Sequence, residues 1–405
     1  MSSIQPTQAK ERFVVLDALR GFALLGIAMA NFPEFSLYTF LSETEKAAMG
    51  SANIDTVIRW LEMIFIDGKF YTLFSILFGI GFSIIIEHAE KRGADGFRIF
   101  YRRMLILLAI GLTHLLFLWS GDILALYAII GMILPMFRGM TDRWLLRSAT
   151  IFLTMPIAVD CIVETCGLEP AGWFRARQWQ LCGEFGITEG NFAYWLRDQD
   201  SYVGVMKFLA QGAYERLTEF IDGNRYFKVM GLFILGYYIG RNRLYARVAE
   251  QKGHLTKVMT TCLMIGLPPS VAYAWSGMEG LPWGLTMHTV LYTTSVFPMG
   301  VAYALILALM HEKHSDNAIF RMLAAPGRMA LSNYLGQTVW GMILFYGIGL
   351  GLGTQMGLWA VMVTVIVVYA IEAAFSKIWL KYFNYGLIEW IWRMLTYGKV
   401  LNLRR

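Results

Sequence analysis

The chain has 405 residues, of which 57% are apolar and only 16% charged, against roughly 25% charged in an ordinary soluble domain. Mean hydropathy is +0.49, and apolar runs recur from residue 14 to residue 380; at about 20 residues per membrane span, this excludes a soluble enzyme carrying one anchor. The formal charge of +6 and the pI near 9.0 do not point to nucleic acid, because Lys and Arg are spread through short loops instead of gathered on one arm. No polar stretch reaches the size of a soluble domain, so one integral domain over 1–405 is expected.

Apolar windows bounded by charge or turn signals place ten helices near 18–41, 60–88, 103–119, 122–137, 147–165, 226–240, 258–275, 285–310, 329–352 and 356–376. Strands of a closed barrel would alternate apolar with polar residues, and LWAVMVTVIVVYAI does not. The expected class is therefore an all-α polytopic membrane protein. The opening MSSIQPTQAKERF is expected to stay on the mature protein, since the apolar run after it contains Asp17 and Arg20 and no A-x-A site.

Basic residues test this map, because short cytoplasmic loops carry the excess of Lys and Arg. With the N-terminus inside, 24 fall on the inner side, among them Lys10, Arg12, Arg92 and the run Arg102–Arg103. Nine fall outside, and Arg20 and Lys69 sit at membrane depth. Ten spans put both ends in the cytoplasm. The outer stretch 166–224 forms a cap, with Trp173, Trp179 and Trp195 among mixed charges. It could bind a substrate, but an aromatic belt is the plainer reading. Cys161, Cys166, Cys182 and Cys262 make no zinc pattern; in an oxidising compartment Cys166 and Cys182 are the expected disulfide partners, with unpaired thiols the alternative.

An ionisable side chain in a span costs a few kcal/mol on insertion scales, so those present point to function. In the first span Asp17, Arg20 and Asn31 fall within about 40° on a stripe roughly 21 Å long. Pairing alone would account for the Asp and Arg but not for Asn31. Asp67, Gly68 and Lys69 lie in or beside the second span, where Lys69 is expected to snorkel to the surface, with a substrate contact as the alternative. In the third, Arg103 and His114 are about 16 Å apart along one face, and His114 is the histidine nearest the middle of any span, suited to moving protons. A neutral core histidine is the rival reading. Asp122 can orient it if the Gly121 break turns the chain back. Asn333 and Gln337 share a face beside Tyr334, and Glu389 and Arg393 read as a surface pair on an interfacial helix. The glycines at 347, 349, 351 and 353 have no preceding strand and read as close packing, not a nucleotide loop.

The blocks LDALRGFALLGIAMANF, FYTLFSILFGIG, GLTHLLFLWSGDILALYAIIG, GRMALSNYLGQTVW and GLIEWIWRMLTYGK closely resemble, in the same order, the signature blocks of the YeiB-like family of bacterial inner-membrane proteins. The C-terminal half of that family, here 225–405, is a domain of unknown function. The LDALRG…N block is also similar to the first helix of the heparan-alpha-glucosaminide N-acetyltransferase family and, more loosely, of the membrane acyltransferase-3 family. That resemblance implies a transmembrane-acyltransferase-like bundle, cytosolic acetyl-CoA or another acyl-CoA as co-substrate, no metal, and a sugar or similar acceptor on the outer side. Asn31 matches the active-site Asn of the glucosaminide acetyltransferases. Their catalytic His follows soon after, whereas here none occurs between Asn31 and His88, and acyltransferase-3 proteins carry a His near the Asn31 position instead.

Two functions are therefore expected in competition. In the first, an acyltransferase, Arg102 and Arg103 hold the CoA phosphates. Asp17 and Arg20 line the channel, His114 acts as general base oriented by Asp122, and Asn31 donates to the oxyanion. Asn333, Tyr334, Gln337 and, in its second reading, Lys69 contact channel or acceptor. In the other, a transporter, the same buried Asp, Arg and His form a proton or substrate pathway. Partners are the bilayer, acyl-CoA and the acceptor, with a homodimer supported by lipid-facing small residues and no nucleic acid.

Overall fold

The computed structural model describes residues 13–91, 93, 95–314 and 317–405; Lys10, Arg12, Arg92 and the first twelve residues of the opening segment lie outside them. The helices are α1 (Val14–Phe35), α2 (Glu43–Ala48), α3 (Ala52–Phe65), α4 (Lys69–Lys91), α5 (Gly96–Phe117), α6 (Leu124–Ile133), α7 (Asp142–Cys166) and α8 (Gly172–Phe185). Then come α9 (Tyr202–Asp222), α10 (Arg225–Arg241), α11 (Lys252–Met278), α12 (Gly284–Lys313), α13 (Ala318–Arg328), α14 (Ala330–Phe345), α15 (Leu358–Tyr382) and α16 (Leu387–Tyr397). Among the described residues there is no strand, only one bridge between Phe383 and Arg404.

Among the described residues seven helical stretches are long and apolar enough to cross a membrane: α1, α3 with α4, α5, α7, α11, α12 and α15. The other expected spans fall on α6, α10 and α14, of 10, 17 and 16 residues, each below the usual length of about 20. Leu112, Leu116, Val363, Ile366 and Ile371 remain exposed on the long helices, an apolar outer surface that suits lipid and not water.

Helix α1 lies at the centre, packed on α4, α12, α13, α14 and α15. The Gly of the LRG motif makes this possible. A Cβ at Gly21 would lie 1.9 Å from the Leu323 carbonyl oxygen, and one at Gly327 would lie 1.9 Å from that of Asp17, so α1 and α13 touch backbone to backbone. Gly79 and Gly236 do the same for α4 and α10.

The stretch expected as one span near 60–88 is broken at Ile66–Gly68. A helix end leaves four carbonyls without partners, and in a membrane each would cost several kcal/mol. All four are met. Glu62 O accepts from Ile66 N (2.8 Å) and Asp67 N (2.9 Å), Met63 O from Lys69 Nζ (2.7 Å), Ile64 O from Ser270 Oγ (2.7 Å) and Phe65 O from Tyr303 OH (2.9 Å). Lys69 therefore does not snorkel: it is 0% exposed and caps the broken helix.

The segment 166–224 folds as α8 and α9 packed together, with α9 also against α5. Phe208, Leu209 and Arg216 on α9 are buried, so it covers the bundle instead of lying free at an interface. The disulfide expected between Cys166 and Cys182 is absent. Cys166 is exposed at the end of α7, whereas Cys182 is buried with its thiol on Gln211 Oε1 (3.8 Å). The glycines from 347 to 353 turn the chain between α14 and α15. Gly347 packs on the cap: its N donates to Leu196 O (3.0 Å), and a Cβ there would lie 2.2 Å from Arg197 O.

Candidate functional site

One cavity of about 630 Å³ runs through the bundle. At one end four guanidinium groups line it: Arg20, Arg103, Arg328 and Arg393. Arg20 pairs with Asp17 (2.6 Å), Arg103 lies 3.6 Å over the Trp392 ring and Arg393 5.0 Å over Tyr385. Glu389 also lines this end but is committed elsewhere. Its Oε1 accepts from Leu331 N (2.7 Å) and Ser332 N (2.9 Å), and its Oε2 from the Ser332 hydroxyl. It caps the N-terminus of α14 in place of the expected pairing with Arg393. The result is a mouth with surplus positive charge, suited to phosphate.

The middle is walled by Leu24, Ile27, Phe78, Phe82 and Met104, with Asn31, Tyr127 and Tyr334 facing the same space. Beneath the cap the cavity turns polar, lined by Glu34, Asp67, Asp160, Arg216, Glu219, Arg225, Lys228 and His288. Arg216 is the clamp there. Its Nε donates to Asp122 O (2.8 Å), Nη2 to Gly121 O and Nη1 to Glu219.

Of the residues singled out in the sequence, Arg20, Asn31, Arg103 and Tyr334 line this cavity. Asp17 stands behind Arg20 as its ion-pair partner, and Arg102 is exposed beside Gly398. Asn333 Nδ2 donates to Pro326 O (3.2 Å) and Ser376 Oγ (3.0 Å), and Gln337 Nε2 to Glu372 Oε2 (3.1 Å). Both tie α14 to its neighbours and lie off the cavity lining, as does Lys69.

The chain does turn back at Gly121. Asp122 Oδ1 lies 2.9 Å from His114 Nδ1, and its Oδ2 accepts from Ala125 N (2.8 Å), starting α6. His114 Nε2 is 2.9 Å from Thr338 Oγ1. The ring is 1% exposed and stands behind Trp119 and Tyr334, both of which line the cavity while His114 and Asp122 do not. With both ring nitrogens engaged, His114 holds the 118–123 loop to α14. That loop presents Trp119, whose Nε1 donates to Glu34 Oε1 (2.9 Å).

Sequence reasoning passed over Glu34, Lys228 and His288. Glu34 lies one turn beyond Asn31 on the same helix, a legible signal. Lys228 and His288 lie near helix ends, where a charge reads as a loop residue. Glu215, on α9 outside the apolar helices, adds a pH dependence. Burial first, then the Glu34 and Glu219 carboxylates, push its carboxyl up to about 8. The folded state therefore holds a proton that the unfolded chain loses near pH 4.5, and stability falls as pH rises from there through about 8. Glu215→Gln should raise the melting temperature progressively more across that window; equal gains at pH 5 and pH 8 would refute the assignment.

Residues 239–399 match the family described as protein of unknown function DUF418. The chain is 29% identical to the uncharacterized protein YxaH of Bacillus subtilis, over 98% of this chain and 97% of that one. It is 27% identical to a 39.9 kDa protein encoded in the amylase 3′ region of Bacillus acidopullulyticus (98% and 97% covered), and 26% identical to YeiB of Escherichia coli (95% and 96%). No solved structure matches. The five ordered blocks, the DUF418 region and these near full-length similarities agree in supporting a YeiB-like family for this chain.

Proposed function

We propose that this protein is a membrane acyltransferase that moves an acetyl or other short acyl group from cytosolic acyl-CoA to an acceptor on the far side of a bacterial inner membrane. In this reading α6, α10 and α14 complete ten crossings, both termini are cytoplasmic, and the arginine end of the cavity is the inner mouth. The observation that carries it is one cavity with four guanidinium groups at one end, acid–base groups at the other and Asn31 between them. CoA phosphates bind Arg103, Arg328 and Arg393, and the pantetheine arm follows the apolar middle section. The acceptor attacks the thioester carbon, Glu34 takes its proton and returns it to the departing thiol, and Asn31 donates to the oxyanion. His114 and Asp122 act as positioning residues, through the loop that holds Trp119 on Glu34.

The test is CoA release by protein in nanodiscs given acetyl-CoA and a panel of amines and sugars. Asn31→Ala and Glu34→Gln should each slow transfer by about 10²-fold, with acyl-CoA still bound. His114→Ala should cost less and shift the pH profile. Wild-type rates in Asn31→Ala and Glu34→Gln would reject the mechanism. The broken α3–α4 segment favours one alternative, transport, since half-helices at membrane depth commonly line substrate sites; solute flux into proteoliposomes without thioester consumption would select it.

A further inference from the structure

A ligand is recognised by valences the protein has not already satisfied. Beneath the cap most charged groups are satisfied. Glu219 takes Arg216 and, at 3.7 Å, Arg225. Asp160 accepts from Asn224 Nδ2 (2.6 Å) and Thr289 Oγ1 (2.5 Å), and Asp222 pairs with Arg175 (2.7 Å).

Two groups stand apart. Lys228, 9% exposed, lines the cavity with its Nζ 3.9 Å over the Tyr292 ring and makes no hydrogen bond or ion pair among the described residues. Asp67, set into the chamber by the α3–α4 break, engages Oδ2 with Tyr273 OH (2.6 Å) and leaves Oδ1 open among the described residues. His288 adds a third open valence: its Nδ1 meets Ser276 Oγ (3.0 Å), and Nε2 is unengaged among the described residues.

An unpaired ammonium so deeply buried carries a desolvation cost that an anion would offset. An anion alone would leave Asp67 unanswered, and a cation alone would leave Lys228 so. Among the lining groups, Glu34, Asp67, Asp160, Glu219 and Asp222 face Arg216, Arg225 and Lys228, a mixture that disfavours a polyanion.

We infer that this chamber binds a small zwitterion, with its anionic group on Lys228, its primary ammonium on Asp67, and Tyr273, Tyr292 and His288 framing the atoms between. That the zwitterion is the acyl acceptor, through its amine, rests on the transfer reading; that it binds does not. A free amino acid and an ethanolamine phosphate headgroup share this chemistry.

Binding is measured by calorimetry and thermal shift on the full chain in phosphatidylglycerol nanodiscs, without acyl-CoA, so that failure of transfer and failure of binding separate. The probes are glycine, serine, glycerophosphoethanolamine, N-acetylglycine, glycine methyl ester and glucose. Saturable binding of the zwitterions is expected, with N-acetylglycine and the ester at least about tenfold weaker. Tighter binding of glycerophosphoethanolamine than of glycine identifies a lipid headgroup as the source, and the reverse a free amino acid. Lys228→Met and Asp67→Asn should each reduce zwitterion affinity at least about tenfold. Glucose binding as well as the zwitterions, no zwitterion binding, or unchanged affinity in Lys228→Met would overturn the inference. The wild-type ligand series decides the matter even if a variant does not fold.

Discussion

Gly21→Ala is expected to leave little folded protein. The added methyl would sit 1.9 Å from the Leu323 carbonyl oxygen, and the reciprocal Gly327→Ala would meet the Asp17 carbonyl oxygen at 1.9 Å. Neither obstacle is a side chain that could turn aside, so α1 and α13 must separate along their crossing. Overpacking ordinarily costs about 1–3 kcal/mol, and a backbone obstacle belongs at the top of that range. Because α1 also touches α4, α12, α14 and α15, separation at this crossing disturbs the walls of the cavity too. Gly253→Ala is the control: it lies in α11 with nothing near its added carbon and should be neutral or slightly stabilising. Thermal melts of the three variants in one detergent give the comparison. If Gly21→Ala and Gly327→Ala melt with Gly253→Ala, the close crossing is wrong.

Arg216→Met should be almost as damaging, for an electrostatic reason. The guanidinium meets two backbone carbonyls, Gly121 O and Asp122 O, together with the Glu219 carboxylate. Methionine fills similar space but strands the two carbonyls and leaves Glu219 only Arg225, at 3.7 Å, and each buried acceptor left unsatisfied costs about 1–3 kcal/mol. The consequence should spread along the 118–123 loop to Asp122, His114 and Trp119. A large fall in melting temperature should therefore accompany a loss of tryptophan fluorescence structure near Trp119. Arg216→Lys should recover only part, because one ammonium cannot reproduce the fork. A melting temperature within 2 °C of wild type for Arg216→Met, well under the shift of roughly 2–4 °C per kcal/mol expected even for large domains, would contradict the clamp.

The helical class, the seven long apolar stretches and the stripe from Arg20 to Asn31 were legible because insertion in lipid imposes long apolar runs and makes every exception conspicuous. The Asp122–His114 contact was legible too, since eight residues with a glycine break can close only locally. Lys69 was misread because its partner, Met63 O, lies across a helix break, and the break itself relies on Ser270 and Tyr303, more than two hundred residues away. Local hydropathy carries no trace of such partners. Lys228 and Arg216 were hidden in the count of outer basic residues, where a buried clamp and a solvated loop charge look alike. The cap's role was open in the sequence because α9 is only partly apolar. Its C-terminal Arg216, Glu219 and Asp222 line the cavity, while Phe208 and Leu209 pack inward.

The capped break between α3 and α4 limits how this protein can move. Its last carbonyls are held from three directions, by Lys69 of α4, Ser270 of α11 and Tyr303 of α12. Sliding the α11–α12 hairpin away would strand two of those oxygens in hydrocarbon at once. The elbow and the hairpin must travel as one rigid body, and any hinge has to be sought in other parts of the bundle.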